Sequence, residues 1–158
     1  MFVRGLGALE MTLLDEGSLL EAIMDARSQI DFLWQFFVTV HIAIFALLFI
    51  YDHAVAGLNW IGKLFSVAGI AAFEWINGNA LINAYFTLNS MHEQYRWAYG
   101  QVERFHAAFY GQFVLADFSN RPEMVVYTHT TALAVVLLAF ASRRFIRSHG
   151  EVNARQAD

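Results

Sequence analysis

Glu74 is the residue whose surroundings say most about chemistry. It is the only charged residue between Leu64 and Met91. At the centre of a membrane helix an acidic side chain costs roughly 2.5–3.5 kcal/mol by insertion scales, so it belongs inside a bundle with a partner. At about 100° per residue, Ala71, Glu74, Asn77, Gly78, Leu81, Tyr85 and His92 share one side of a helix, and Ala68, Ala72, Asn79, Asn83 and Ser90 share the other. Small residues let backbones approach and amides bond across helices. The Ala68, Ala72, Asn79 and Asn83 stripe therefore predicts one helix-packing face, and the Glu74, Asn77 and Gly78 stripe predicts a second.

Two histidines sit in other apolar runs. His41 shares a face with Asp31, Trp34, Val38, Phe45 and Asp52, and His129 lies just inside the end of its run marked by Pro122 and Tyr127. In antiparallel neighbours His41 comes to the depth of Glu74, and His129 to that of Asn77 and Asn79. The expectation is a His41–Glu74 hydrogen bond, with Glu74, His41, Asn77 and His129 as the intramembrane polar set. Such a pair either satisfies buried polar groups or titrates in a proton or cation path, since imidazole changes charge near neutral pH. Haem is not expected, because the two histidines differ in depth by about 6 Å at helical rise and bis-imidazole ligation needs matching depth.

A third constellation lies at Glu103-Arg-Phe-His106, where a carboxylate and an imidazole share a face if the segment is helical. Carboxylate-bridged di-metal bundles use that spacing but require two such pairs and two more carboxylates. Only His92 and Glu93 are near enough to add. As metal ligands Glu103, His106 and His92 thus fall short of a set, and a solvated role is expected for them.

Composition removes other classes. The 158 residues include no cysteine, so thiol catalysis and Cys-based metal sites are excluded. A net charge of −4, with ten basic residues scattered along the chain, gives no polybasic stripe for nucleic acid. No Gly-rich phosphate loop, Ser-nucleophile motif or His-Glu-x-x-His pattern occurs. Hydrophobic residues make up 58% and charged residues 15%, against roughly 25% charged in soluble domains, which points to a membrane protein.

The elements that must position these side chains follow from the apolar runs. A bilayer core about 30 Å thick takes roughly 20 apolar helical residues, and 30–51, 61–88 and 124–142 meet that length. Trp34, Tyr51, Trp60 and Tyr127 lie near the ends of these spans, where amphipathic rings prefer the headgroup level. The prediction is a single all-α domain, a polytopic helical membrane protein with three transmembrane helices. Residues 1–29 form an N-terminal amphipathic segment along the membrane surface, opened by the capping box Ser18-Leu-Leu-Glu21; Met11 is an alternative start to Met1. Pro122 suits the first turn of the last helix. Between the second and third spans, 91–120 is predicted as an interfacial amphipathic helix or hairpin, broken near Gly100, because charges interrupt its apolar pattern. Residues 143–158 make a basic, then polar and disordered tail, and Arg143, Arg144 and Arg147 beside a span favour a cytoplasmic C-terminus in a plasma or inner membrane.

Three functions fit. The first is a non-catalytic assembly or accessory subunit, forming a homo-oligomer or joining a larger membrane complex. The second is a homo-oligomeric proton or cation channel or transporter using Glu74 and His41. The third, a membrane redox or metal-binding protein, lacks ligands. Leu64 to Phe73 offers only Ser66 as a neutral polar side chain, so a water-filled path stops halfway and assembly is preferred over conduction.

Overall fold

Asp15 starts the first helix. Its carboxylate accepts from the Ser18 backbone N–H at 3.1 Å and from the Ser18 hydroxyl at 2.6 Å, satisfying an orphan donor of the first turn. The opening therefore lies three residues before the predicted Ser18-Leu-Leu-Glu21 box, because Asp15 is the better acceptor and uses Ser18 as its partner. In this computed structural model, which describes residues 15–50 and 57–155, α1 covers Glu16–Phe49, α2 covers Trp60–Tyr99 and α3 covers Arg121–Arg155. The candidate starts Met1 and Met11, Tyr51 and Asp52, and the side chains of Arg143, Arg144 and Arg147 lie outside the described residues. Among those described there is no strand, and the chain is all-α as predicted.

Burial along α1 and α2 steps by three and four. Leu19, Ile23, Ala26, Ile30, Phe37, His41 and Leu48 are buried on α1, and Glu74, Asn77, Leu81, Ala84, Leu88, His92 and Tyr95 on α2. This near-3.5 period gives an antiparallel seam of the coiled-coil kind, in which each buried side chain fits between neighbours of the facing helix. The third helix adds Val125, His129 and Val136 against α2's other flank, so α2 is the middle helix. Asp31 and Val38 are exposed. The inward face of α1 thus runs through Trp34, Phe37 and His41 and leaves out these two predicted members.

Two helices are long and apolar enough to cross a membrane, by length and composition. Glu16–Phe49 reaches a mean hydropathy of 2.1 and Arg121–Phe140 reaches 1.6. Several boundaries differ from expectation. From Glu16 onward the described part of the N-terminal segment and the first span are one helix, since nothing between Asp15 and Phe49 breaks the backbone ladder. The second helix runs on past residue 88 to Tyr99 and takes in the first nine residues of the 91–120 segment. It stops at Gly100 as predicted: a Cβ there would lie 2.4 Å from the Arg96 carbonyl oxygen, so the close turn requires glycine. The tail is helical in its backbone as far as Arg155.

Beyond Gly100 the rest of the 91–120 segment is made of short turns. Val102–Arg104 is a 3-10 turn, and Ala107–Phe109 is one α-turn that widens into the π-turn Tyr110–Val114. These turns fold back on the seam as a cap. Arg96 donates through Nε to the Val114 carbonyl and through a terminal nitrogen to the Ala116 carbonyl, both at 3.1 Å, and Asn89 Oδ1 accepts from the Phe118 N–H at 3.2 Å. Across the seam, Glu16 receives the Tyr95 hydroxyl at 3.1 Å and Arg104 at 2.9 Å.

Candidate functional site

Two of the buried histidines, His41 and His129, are anchored by their own helices. The Nδ1–H of His41 donates to the Phe37 carbonyl at 2.9 Å and that of His129 to the Val125 carbonyl at 3.0 Å, four residues back in both cases. A carbonyl accepts only, so Nδ1 carries the proton in both rings and Nε2 is the nitrogen turned toward other helices. For His41 that nitrogen lies 2.8 Å from Glu74 Oε1, bringing together the predicted pair. The approach is off the line of the ring N–H, and the second carboxyl oxygen, Oε2, has no hydrogen-bond partner among the described residues.

His129 completes the set. Its Nε2 accepts from the Asn77 side-chain amide at 3.1 Å, which requires the neutral ring. Gly78 makes this approach possible, since a Cβ there would sit 3.3 Å from His129 Cδ2. The Phe37 ring packs on both imidazoles, with centroids 4.2 Å from His41 and 4.5 Å from His129. His41, Glu74, Asn77 and His129 are all at least nine-tenths buried. They form one polar cluster among three helices, linked by an aromatic ring. Asn79, the other expected neighbour of His129, instead faces outward and donates to the Trp75 carbonyl at 2.7 Å.

Further polar pairs follow the α1–α2 seam toward the cap. The Trp34 indole N–H donates to the Tyr85 hydroxyl at 3.0 Å, and a terminal nitrogen of Arg27 lies 3.4 Å from His92 Nε2. The His92 ring is fully buried between Phe113 and Phe118, at centroid distances of 5.0 and 5.1 Å. The Arg27 guanidinium lies over the same two rings, 5.2 and 5.5 Å from their centroids. His92, placed above on the Glu74 side of its helix and weighed as a metal ligand, therefore anchors the cap. Its signal was the seven-residue step from Arg27 to Trp34 on α1, matched by the step from His92 to Tyr85 on α2.

Burial of His92, then the charges of Arg27 and Arg96, push its pKa down to about 4. The unfolded chain, with an ordinary histidine near 6.5, takes up a proton that the folded chain refuses. Stability from this residue is thus complete above pH 6.5 and declines as pH falls toward 4. The expected loss is on the order of 2 kcal/mol between pH 7.5 and 4.5. Thermal unfolding at the two pH values checks it: a His92→Gln variant should lose most of that slope, and an unchanged slope would assign it to other groups.

The remaining candidates stay apart. His106 caps a turn, its Nδ1 accepting from the Ala108 N–H at 3.3 Å, and Glu103 belongs to the preceding 3-10 turn, so the two share no helical face. Among the described residues no three His, Asp or Glu side chains are grouped to hold a metal ion. Ala68, Ala72, Asn79 and Asn83 are all exposed on the side of α2 away from the seam. No family model, curated protein or solved structure matches this chain.

Proposed function

We propose that the chain is a small integral membrane protein with three spans, acting as an assembly or accessory subunit through the outer face of α2. Membrane placement is supported by where the apolar surface lies. Phe32, Phe65, Trp75 and Leu138 are each 65–74% exposed, and only 17% of the most apolar window of α1 and of α3 is buried, the reverse of a soluble protein's core helix. Three spans at 30–51, 61–88 and 124–142, with a cytoplasmic C-terminus in a plasma or inner membrane, complete this proposal.

One observation carries the assembly role. Ala68, Ala72, Asn79, Asn83 and Ser90 are exposed while the opposite face of the same helix is buried, and the Asn83 amide makes no hydrogen bond among the described residues. In lipid an unpaired amide is costly, and small residues beside it permit a close helix contact. A second copy or a larger membrane complex supplies that contact. Ala72→Leu should cut the assembled fraction several-fold in a native mass measurement from mild detergent, whereas Leu64→Ala should leave it unchanged. Equal behaviour of the two variants, or a monomeric parent, would count against this face.

The His41–Glu74 contact at 2.8 Å supports a second reading, a proton or cation path in a homo-oligomer. Polar pairs lead to it from the cap, while beyond it the buried seam continues with Leu48 on α1 and Val136 on α3. Flux assays in liposomes decide the point, and no flux under any gradient removes this reading.

A further inference from the structure

The cap meets the seam around one imidazole. The fully buried His92 ring packs on Phe113 and Phe118 of the cap, at 5.0 and 5.1 Å between centroids. The Arg27 guanidinium of α1 stands over the same two rings, with a terminal nitrogen 3.4 Å from His92 Nε2. No carboxylate pairs with Arg27 among the described residues, and its Nε is buried without a hydrogen-bond partner. A neutral ring tolerates this neighbour. A protonated ring is a second buried cation beside the first, and the packing supplies no anion for either.

We propose that the Arg27–His92 contact is an acid-sensitive clasp: protonation of His92 releases the cap, residues 102–118, from the α1–α2 seam while the seam itself stays paired. Either ring nitrogen can carry the first proton, since it is the second that brings the charge. Repulsion then acts where three elements join, with Arg27 on α1, His92 and Arg96 on α2, and the two phenylalanines on the cap. Arg96 spends its donors on the Val114 and Ala116 carbonyls and adds positive charge near the ring. The nearby acids are engaged elsewhere: Glu16 with Tyr95 and Arg104, Glu93 with the Asn89 amide, and Asp117 with the Ser119 N–H, which holds its carboxyl below the usual range. The Phe113 backbone favours a charged ring, but burial and the two arginines outweigh it and hold the His92 pKa at about 4. Opening the cap returns the ring to water and to an ordinary value near 6.5. The open form is therefore favoured increasingly as pH falls from 6.5 toward 4. The seam keeps its own ties further along the helices, Trp34 to Tyr85 and His41 to Glu74. All these groups lie within one chain, so the clasp is independent of assembly through the outer face of α2.

Hydrogen–deuterium exchange of the full-length protein in mild detergent, read by mass spectrometry at pH 7.5 and 4.5 and corrected for intrinsic rates, tests the clasp. Protection of cap peptides within 102–118 should fall about 70-fold, while seam peptides within 81–88 keep theirs. His92→Gln keeps an acceptor for Arg27 and does not titrate, so the fall should shrink to about threefold or less. Arg27→Gln leaves the imidazole but removes its neighbouring cation; it should reduce the fall several-fold and serves if His92→Gln folds poorly. The exposed His106 caps a turn of the same segment, and His106→Asn, a cap that does not titrate, should leave the fall intact. Four results would overturn the proposal: unchanged cap protection, equal loss in cap and seam, a full fall in both His92→Gln and Arg27→Gln, or a fall abolished by His106→Asn.

Discussion

Glu74→Leu should destabilise the bundle by about 1–3 kcal/mol, while Glu74→Gln should leave its stability near that of the parent. The difference arises at His41. Its Nδ1–H is committed to the Phe37 carbonyl, so the ring cannot turn to find another partner when the carboxyl is removed. Leucine strands Nε2 in a buried site, whereas glutamine keeps the size and offers an amide N–H to the neutral ring. Denaturant or thermal unfolding in detergent measures the gap, and a leucine variant as stable as the parent would show that the pair holds nothing together. The same variants separate the two functional readings. An assembled, stable Glu74→Gln that has lost proton or cation flux would move the conclusion from assembly to conduction, with His41→Ala expected to follow it.

The second large effect is expected at Gly78. Its missing Cβ lets His129 lie against the α2 backbone, and a Cβ alone would already stand 3.3 Å from the ring. Gly78→Leu adds three further carbons and pushes α3 away, at about 1–3 kcal/mol for overpacking. The separation also breaks the Asn77–His129 bond, leaving a buried amide and ring nitrogen at about 1–3 kcal/mol more. Gly78→Ala should cost far less, because the ring has only a few tenths of an ångström to give. Nitrogen-15 spectra of labelled histidine provide the check. The parent should show the His129 Nε2 resonance of a hydrogen-bonded acceptor, and Gly78→Leu should lose that bond while Nδ1–H, held by the Val125 carbonyl of the same helix, persists; an unchanged Nε2 resonance would mean that the helices had accommodated the side chain.

Much of the central cluster was legible because it depends on helical geometry alone. The two faces of α2 follow from 100° per residue, and the meeting of His41 with Glu74 follows from equal depth in antiparallel helices. The cap was not legible. Its path is set by Arg96 and Asn89 reaching backbone groups about twenty to thirty residues away, and no local pattern encodes such a bond. Ser18-Leu-Leu-Glu21 misled for a different reason: it matches a capping box in type and spacing, but Asp15 one turn earlier competes for the same Ser18 donors and wins with a charge. Charges in 91–120 suggested a surface segment, yet His92 is buried and Arg96 bonds back to the backbone of the cap.

The polar pairs between α1 and α2 also restrict how the bundle can move. Arg27, Trp34 and His41 are seven residues apart and meet His92, Tyr85 and Glu74 in order. A slide of α1 by one turn, about 5.4 Å, breaks all three pairs at once and puts apolar side chains against each polar one. A ratchet between these helices therefore has no intermediate resting place, and the two behave as one rigid frame. The third helix is fastened differently, through one amide–imidazole bond at a glycine. Any rearrangement of the bundle is therefore expected at α3, which Val125, Val136 and one amide–imidazole bond hold against α2. Spin labels on α1 and α2 should keep a single separation under all conditions, while a label on α3 changes its distance to both.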